Sequence, residues 1–318
     1  MAEKRYKSTN VRRKKEKEEL LAEVRRLQSE LQQLQPPRSQ EGVRSENALL
    51  SSFIRHHQLE IASVQSICSL PVQTHPLYSH IRLKKSWHDR NETLLAIREQ
   101  KFRAAYEHVV LRSQITPLNQ PHLSDERFET ADGDVCCILF QTVQLPGVES
   151  LKQVHEAVFY SVNNVEISIS ERLGHITIRD DYDGGDGNVH NARIISTNDI
   201  GISTELNCVM YSQFFDADDI YPPRGMVVID SVDEDELYPY KSNERIRKDV
   251  SSAVVVTANN PLVEGGDLTV VLRRAAFVKL YHPGFPISET AWQEAQQEAV
   301  TWGDVMLRTL RGLLYSVP

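Results

Sequence analysis

The side chains best suited to chemistry fall into a few clusters, and most of them argue against catalysis. Asp180, Asp181, Asp183 and Asp186 stand among Gly184, Gly185 and Gly187, a composition that calcium loops use. A hard cation needs oxygen ligands at fixed alternate positions. No register here puts acids at the first, third and fifth places with glycine at the sixth, so a solvated hairpin turn is expected. The acidic string 233–236 (DEDE) is read in the same way, as a charged loop rather than a metal site. Cys68, Cys136, Cys137 and Cys208 lack metal-ligand spacing, and neighbouring residues of a strand point to opposite faces, so buried reduced thiols are expected. Arg172, His175 and Arg179 are candidates for meeting a ligand headgroup; the alternative is a surface cross-strand pair with nearby acids. The sequence has no Gly-x-Ser-x-Gly elbow, no phosphate-cradling glycine loop ahead of Lys-Ser or Lys-Thr and no His-Glu-x-x-His. No enzyme activity, cofactor or metal is expected.

A second kind of chemistry, contact with a polyanion, is concentrated at one end. The 318 residues carry a net charge of -8, yet residues 1–17 hold eight basic side chains against Glu3 and Glu16. An acidic body does not attract nucleic acid, so DNA contact would fall to this arm. Leu20, Leu27 and Leu34 lie seven apart, with Val24 and Leu31 at the other core position of the same heptad. Leucine at one core position and a β-branched residue at the other favour two parallel helices. Pro36 and Pro37 end the run after about two and a half heptads. Glu16, Glu23 and Glu30 occupy flanking positions that no basic residue answers in a homodimer, which points to a zipper partner carrying Lys or Arg there. A homodimer or heterodimer is therefore expected.

With no proline or glycine between Lys4 and Gln35, the basic cluster continues the same helix and resembles the basic leucine zipper family. The family signature asks for asparagine and arginine where Thr9 and Lys17 stand, with Asn10 one place out of register. The resemblance implies phosphate contact by Arg12, Arg13, Lys14, Lys15 and Lys17 rather than established base readout. A solvated tract or nuclear import signal is the plainer alternative.

The elements that position these groups follow in order. Residues 1–35 form the zipper-like helix and 36–46, rich in Pro, Gly, Ser and Gln, a linker. A helical segment spans 47–113: Leu50, Ile54, His57, Ile61, Val64 and Cys68 mark one amphipathic helix, and Ser86 to Ser113 a second with one buried face. A domain over 114–318 turns to strands at Asp134. Val135–Leu145 is followed by a helix from Val148 to Ser161, then by β-rich runs at Val165–Arg179, Ala192–Gln213 and Met226–Val232. A hairpin with arms Ser252–Thr257 and Leu268–Tyr281 completes the strands. The period of two in 165–170 (VEISIS) predicts a sheet with one face buried and one wet. A single long helix closes the chain, N-capped by Ser288, with Ala295, Trp302, Met306, Leu310 and Leu313 on its apolar face.

This order is that of an α+β, START-like helix-grip fold, a curved antiparallel sheet wrapped on a long C-terminal helix around an apolar pocket, preceded by a basic coiled-coil helix and further helices. Segments 124–134 (SDERFETADGD), 166–183 (EISISERLGHITIRDDYD), 231–240 (SVDEDELYPY), 245–250 (RIRKDV) and 302–307 (WGDVML) resemble the oomycete mating-specific START-like proteins that also carry an N-terminal basic zipper. The helix-grip arrangement, that of START and related lipid-binding domains, implies a pocket for a lipid or other apolar small molecule, and Trp302 and Met306 join Arg172, His175 and Arg179 as candidate ligand contacts. No window approaches the roughly 18 apolar residues of a membrane span, and a nuclear or cytoplasmic regulator without integral membrane association is expected. A lipid carrier or interaction scaffold with a degenerate zipper, and a START-fold enzyme, are the alternatives.

Overall fold

The computed structural model describes Arg26 and residues 75–114, 121–182, 189–219, 221–259 and 268–315. The chain divides into two units, Met1–Gln58 and Leu59–Pro318. The basic residues Arg12, Arg13, Lys14, Lys15 and Lys17, the core positions Leu20, Val24, Leu27, Leu31 and Leu34, the 36–46 linker and the Leu50–Cys68 stripe lie outside the described residues.

The second unit is built on an eight-stranded sheet. In chain order its elements are β1 (Arg82–Leu83), α1 (Trp87–Gln114), β2 (His122–Glu129), β3 (Val135–Pro146), α2 (Leu151–Asn163), α3 (Val165–Leu173), β4 (Ile176–Asp181), β5 (Val189–Thr197), β6 (Ser203–Phe215), β7 (Arg224–Ser231), β8 (Glu234–Asp235), β9 (Ile246–Asn259), β10 (Thr269–Leu280), α4 (Glu289–Glu298) and α5 (Thr301–Tyr315). The strand order is β2-β3-β10-β9-β7-β6-β5-β4, antiparallel throughout except for a two-residue parallel pairing of β6 with β9. A separate parallel ribbon joins β1 to β8.

Strand alternation sends Met210, Val227, Val254, Val256, Val270 and Leu272 to one face, where they pack with Val154 and Val158 of α2 and Met306, Leu307 and Leu310 of α5. Leu139 of β3 and Arg179 of β4 border the same inner cavity. At roughly 4.8 Å per strand, a flat sheet would hold them too far apart, so the sheet curls around the helices. The architecture is an α+β helix grip. No helix among the described residues is long and apolar enough to cross a membrane.

Four sequence expectations are corrected. First, the outer face is not wet over the central strands, where Leu94, Phe102, Ala105 and Val109 of α1 pack with Phe140, Val209, Tyr211, Val228, Ala253 and Val255, and on β4 it is the apolar Ile176 and Ile178 that are exposed. Each fully buried side chain of this size contributes about 1.5–3 kcal/mol. Second, Val165–Leu173 is helix, not strand, so Arg172 is not on a hairpin. Its apolar-polar alternation is overridden by tertiary contacts: Ile169 is fully buried, Ser168 accepts a hydrogen bond from Thr309 of α5 at 3.0 Å, and Gly174 stops the helix at a left-handed φ of 75°. Third, the C-terminal helix is interrupted at Ala299–Val300. Ser288 caps α4 as expected, accepting from the Ala291 amide. At its far end the bonds tighten to Ala299 N–H to Gln296 and Gly303 N–H to Val300. The Thr301 hydroxyl also donates to the Glu298 carbonyl at 2.8 Å. Fourth, the acidic string is only partly a solvated loop, with Glu234 and Glu236 exposed. Asp235 is buried and Glu234–Asp235 is β8.

Those acids tie α1 and β1 to the sheet. Arg90 of α1 forks onto Asp235 at 2.7 and 2.9 Å, both side chains buried. Burial pushes the Asp235 carboxyl up, but hydrogen bonds from Arg90, the Tyr238 amide and Asn207 outweigh it and hold the group below the usual carboxylate range. Lys101, also on α1, pairs with buried Asp230 of β7. Asp233 accepts from the Tyr78 hydroxyl and the Ile81 amide.

Candidate ligand cavity

Between the inner sheet face and α2, α3 and α5 lies a cavity of about 120 Å³, counted as the space open to the centre of a water molecule. One water needs roughly 10–15 Å³ by that measure, so the space suits a ligand of about ten non-hydrogen atoms. Strand periodicity builds its floor. On β9 the residues at every second position, Lys248, Val250, Ser252 and Val254, turn inward, and on β10 Arg274, Ala276 and Val278 do the same. Ile194, Leu206 and Met210 extend the floor across β5 and β6, while Val162, Val165, Ala299, Trp302 and Met306 roof it from the helices.

The polar groups in this wall are few, and each has a distinct state. Arg179 is fully engaged. Its guanidinium donates to Asp181 at 2.7 Å, to the Asn163 side chain at 3.0 Å and to the Asn163 carbonyl, with Glu166 at 3.4 Å, so it clasps the α2–α3 junction onto β4. Ser252 donates to the Ala275 carbonyl at 3.0 Å. The Cys208 thiol is pushed up to about 12 by burial, which leaves it protonated and a poor nucleophile. Three groups are different. Arg274 is 3% exposed, yet its Nε and Nη1 have no hydrogen-bond partner. His190 Nε2 also has none. Lys248, 2% exposed, places its ammonium 3.8 Å from the Trp302 ring centroid. Among the described residues no carboxylate lies within ion-pair reach of it. Burial pulls its value from 10.5 down to about 7, only partly opposed by Cys137 and Glu298.

Both buried cations converge on the first turn of α5. Lys248 reaches Trp302, and the next residue, Gly303, makes room for Arg274: a Cβ there would stand 1.9 Å from Arg274 Nη1. A smaller pocket adjoins, bordered by His175, Ser196, Asn198 and Glu298 and sharing Lys248 and Trp302 with the main cavity. There His175 bonds Ser196 at 3.1 Å and faces Glu298 at 3.5 Å.

Against this geometry, comparison with known proteins gives fold alone. No protein-family model and no curated protein matches the sequence. Solved structures do match. The di-domain ARO/CYC BexL from the BE-7585A biosynthetic pathway aligns with 57% of this chain and 51% of its own at 12% identity and a TM-score of 0.31. Truncated norcoclaurine synthase from Thalictrum flavum aligns with 58% and 97% at 10% identity and a TM-score of 0.29. Ara h 8.0201 aligns with 56% and 99% at 10% identity and a TM-score of 0.26. The chain spans about half the length of the di-domain proteins it matches.

Of the sequence-stated candidates, Trp302, Met306 and Arg179 border the main cavity, His175 borders the smaller pocket, and Arg172 is exposed on α3. Lys248, Arg274 and His190 were missed. The signal for the first two was present: a lysine and an arginine at inward positions of otherwise apolar strands. Asp180 and Asp181 are exposed on β4, and 183–188 lie outside the described residues. Among the described residues no group of His, Cys, Asp and Glu is arranged to hold a metal. Cys136, Cys137 and Cys208 are free and buried.

Proposed function

We propose that this protein is a non-catalytic, ligand-binding regulator whose START-like cavity holds a lipid fragment or other apolar small molecule. The observation that carries the reading is the cavity itself, apolar over most of its wall and set between the curled sheet and the helices. The zipper-like helix supplies the second half of the proposal: dimerisation through Leu20, Val24, Leu27, Leu31 and Leu34, DNA phosphate contact through the basic arm, and residence in the nucleus or cytoplasm. Its support is the heptad register and the motifs resembling oomycete mating-specific START-like proteins.

Native mass spectrometry of the full chain tests the cavity. A retained or added small apolar molecule is expected, and failure of every apolar probe to bind would overturn the reading. For the arm, salt-dependent binding to duplex DNA should be lost when Arg12, Arg13, Lys14 and Lys15 become alanine; unchanged weak binding would remove DNA from the proposal. One arrangement favours the enzyme alternative: the Lys248 amine is buried at the cavity wall, where burial draws its value down to about 7 and favours the neutral form. A carbonyl compound trapped on the protein by borohydride, and lost in Lys248→Met, would establish that alternative instead.

A further inference from the structure

The main cavity has a charge imbalance that its apolar character conceals. Arg179, Lys248 and Arg274 border it, and among the described residues no aspartate or glutamate does. Arg179 is neutralised by Asp181 and Glu166, but the other two are not. Among the described residues Arg274 forms one ion pair, with Asp304, 3.6 Å from Nη2 and 57% exposed, beyond hydrogen-bond length and largely in water, and Asp125 acts on it only at longer range. The acid nearest in effect to Lys248 is Glu298, which borders the smaller pocket and is engaged with His175. Arginine stays protonated under all ordinary conditions. Arg274 is therefore a permanent buried cation with two unpartnered nitrogens at the wall of an apolar cavity, in a chain that is acidic as a whole.

A buried charge without a partner is strongly unfavourable, and a buried donor left unmade costs its full desolvation penalty. Such a group persists where something outside the chain completes it. A bound water would relieve a hydrogen bond but not the charge. An anion relieves both. The cavity admits about ten non-hydrogen atoms, and beyond its polar groups the wall is Leu139, Ile194, Leu206, Met210 and Met306, so most of the ligand is hydrocarbon.

We infer that the cavity binds a small apolar carboxylate, its acidic group accepting hydrogen bonds from Arg274 and lying beside the Lys248 ammonium at the Trp302–Gly303 turn, its hydrocarbon body among the aliphatic side chains. This rests on the ligand-binding reading above and adds the class of ligand. It also gives Gly303 a role: any side chain there displaces the Arg274 head. Lys248 makes the site responsive to its occupant. An anion beside the ammonium favours the charged form, so binding above neutral pH draws a proton from solvent.

The test compares octanoate, octan-1-ol and octylamine on the full-length protein by isothermal titration calorimetry at pH 8. Octanoate is expected to bind about tenfold to a hundredfold tighter than the alcohol, the range for a charge-assisted hydrogen bond in a dry site, and the amine not at all. Arg274→Met, which removes the charge and keeps the bulk, should erase the preference while the alcohol still binds. Octanoate binding measured in buffers of different ionisation enthalpy should show proton uptake that Lys248→Met abolishes. Equal binding of octanoate and octan-1-ol to the native protein, or a preference that survives Arg274→Met, overturns the inference while the apolar-ligand reading stands. Binding of neither overturns both.

Discussion

Lys248 is the residue whose replacement says most about the cavity. Lys248→Met keeps most of the apolar stem of the side chain and removes the ammonium group with its charge and its donors. In an unfolded chain the ammonium holds its proton up to 10.5; in the fold, burial lowers that to about 7. Between these values the unfolded state binds more protons, so native stability rises with pH across the window, and the whole penalty is present below it. At 1.36 kcal/mol per pH unit, the charge costs about 5 kcal/mol in acid, about 4 at pH 7, about 2 at pH 9 and almost nothing near pH 10.5. The Trp302 ring returns part of this through its attraction for the cation. Ligand-free Lys248→Met should therefore be more stable than the native protein by several kcal/mol at pH 7, and the gap should close as pH rises to 10. Urea unfolding at unit intervals from pH 6 to 10 reads it directly. Other groups facing Lys248, Cys137 of β3, Glu298 of α4 and His175 across the smaller pocket, are present in both proteins and largely cancel in the difference. The Cys137 thiol, pushed up to about 11 by burial, titrates above the window. A difference that does not change with pH, or a variant less stable at pH 7, would refute the assignment of an unpartnered buried ammonium.

Three further outcomes follow from the packing. Asp235→Ala leaves Arg90 charged and buried without its fork, and should cost about 3–5 kcal/mol in denaturant unfolding; replacing both residues together, Arg90→Met with Asp235→Leu, should recover only part of that, because Asn207 and the Leu237 and Tyr238 amides still lose their acceptor, and a single-variant cost below about 1 kcal/mol would show the pair to be solvated. Gly225→Ala on β7 builds a Cβ 2.6 Å from the Cβ of His155 on α2, so the helix must lift from the sheet; a loss of about 1–3 kcal/mol is expected, read as a fall in Tm by scanning calorimetry. Cys136, Cys137 and Cys208, with thiols pushed up to about 12, 11 and 12 by burial, should resist iodoacetamide at pH 8 until denaturant is added, as peptide mapping would show.

The sequence made some of this visible. Long strands such as Val135–Pro146 and the capped helix start at Ser288 are legible because their signals are local: β-branched runs, turn residues, a serine that bonds an amide three residues on. Val165–Leu173 was not, because over six residues a period of two is a weak pattern, and the contacts of Ile169 and Ser168 with distant elements decide it. The wet outer face failed for a related reason. The apolar run 253–256 (AVVV) has no alternation and is the mark of a strand covered on both sides, but only the placement of α1 says what covers it. The acids at 233–236 read as solvated because their partners, Arg90 and the β1 segment, lie about 150 residues earlier in the chain.

The same asymmetry explains where ligand selectivity is built. Polar pairs on the outer face, Arg90 with Asp235 and Lys101 with Asp230, are complete and fix α1 against the central strands. Those strands then form a rigid floor for the cavity, since each is hydrogen-bonded on both sides and packed on both faces. Lys248 and Arg274 project from that floor, on β9 and β10, whereas the exposed Arg172 and the fully engaged Arg179 belong to the sheet edge and the helix beside it. A charge held on a rigid central strand keeps its position when the space beside it is empty, so the cost of burying it is carried in the free protein and released on binding. That is the condition under which an arginine with two unpartnered nitrogens discriminates an acid from an alcohol of equal length. An arginine on the edge, free to swing into water or onto a neighbouring carboxylate, would not.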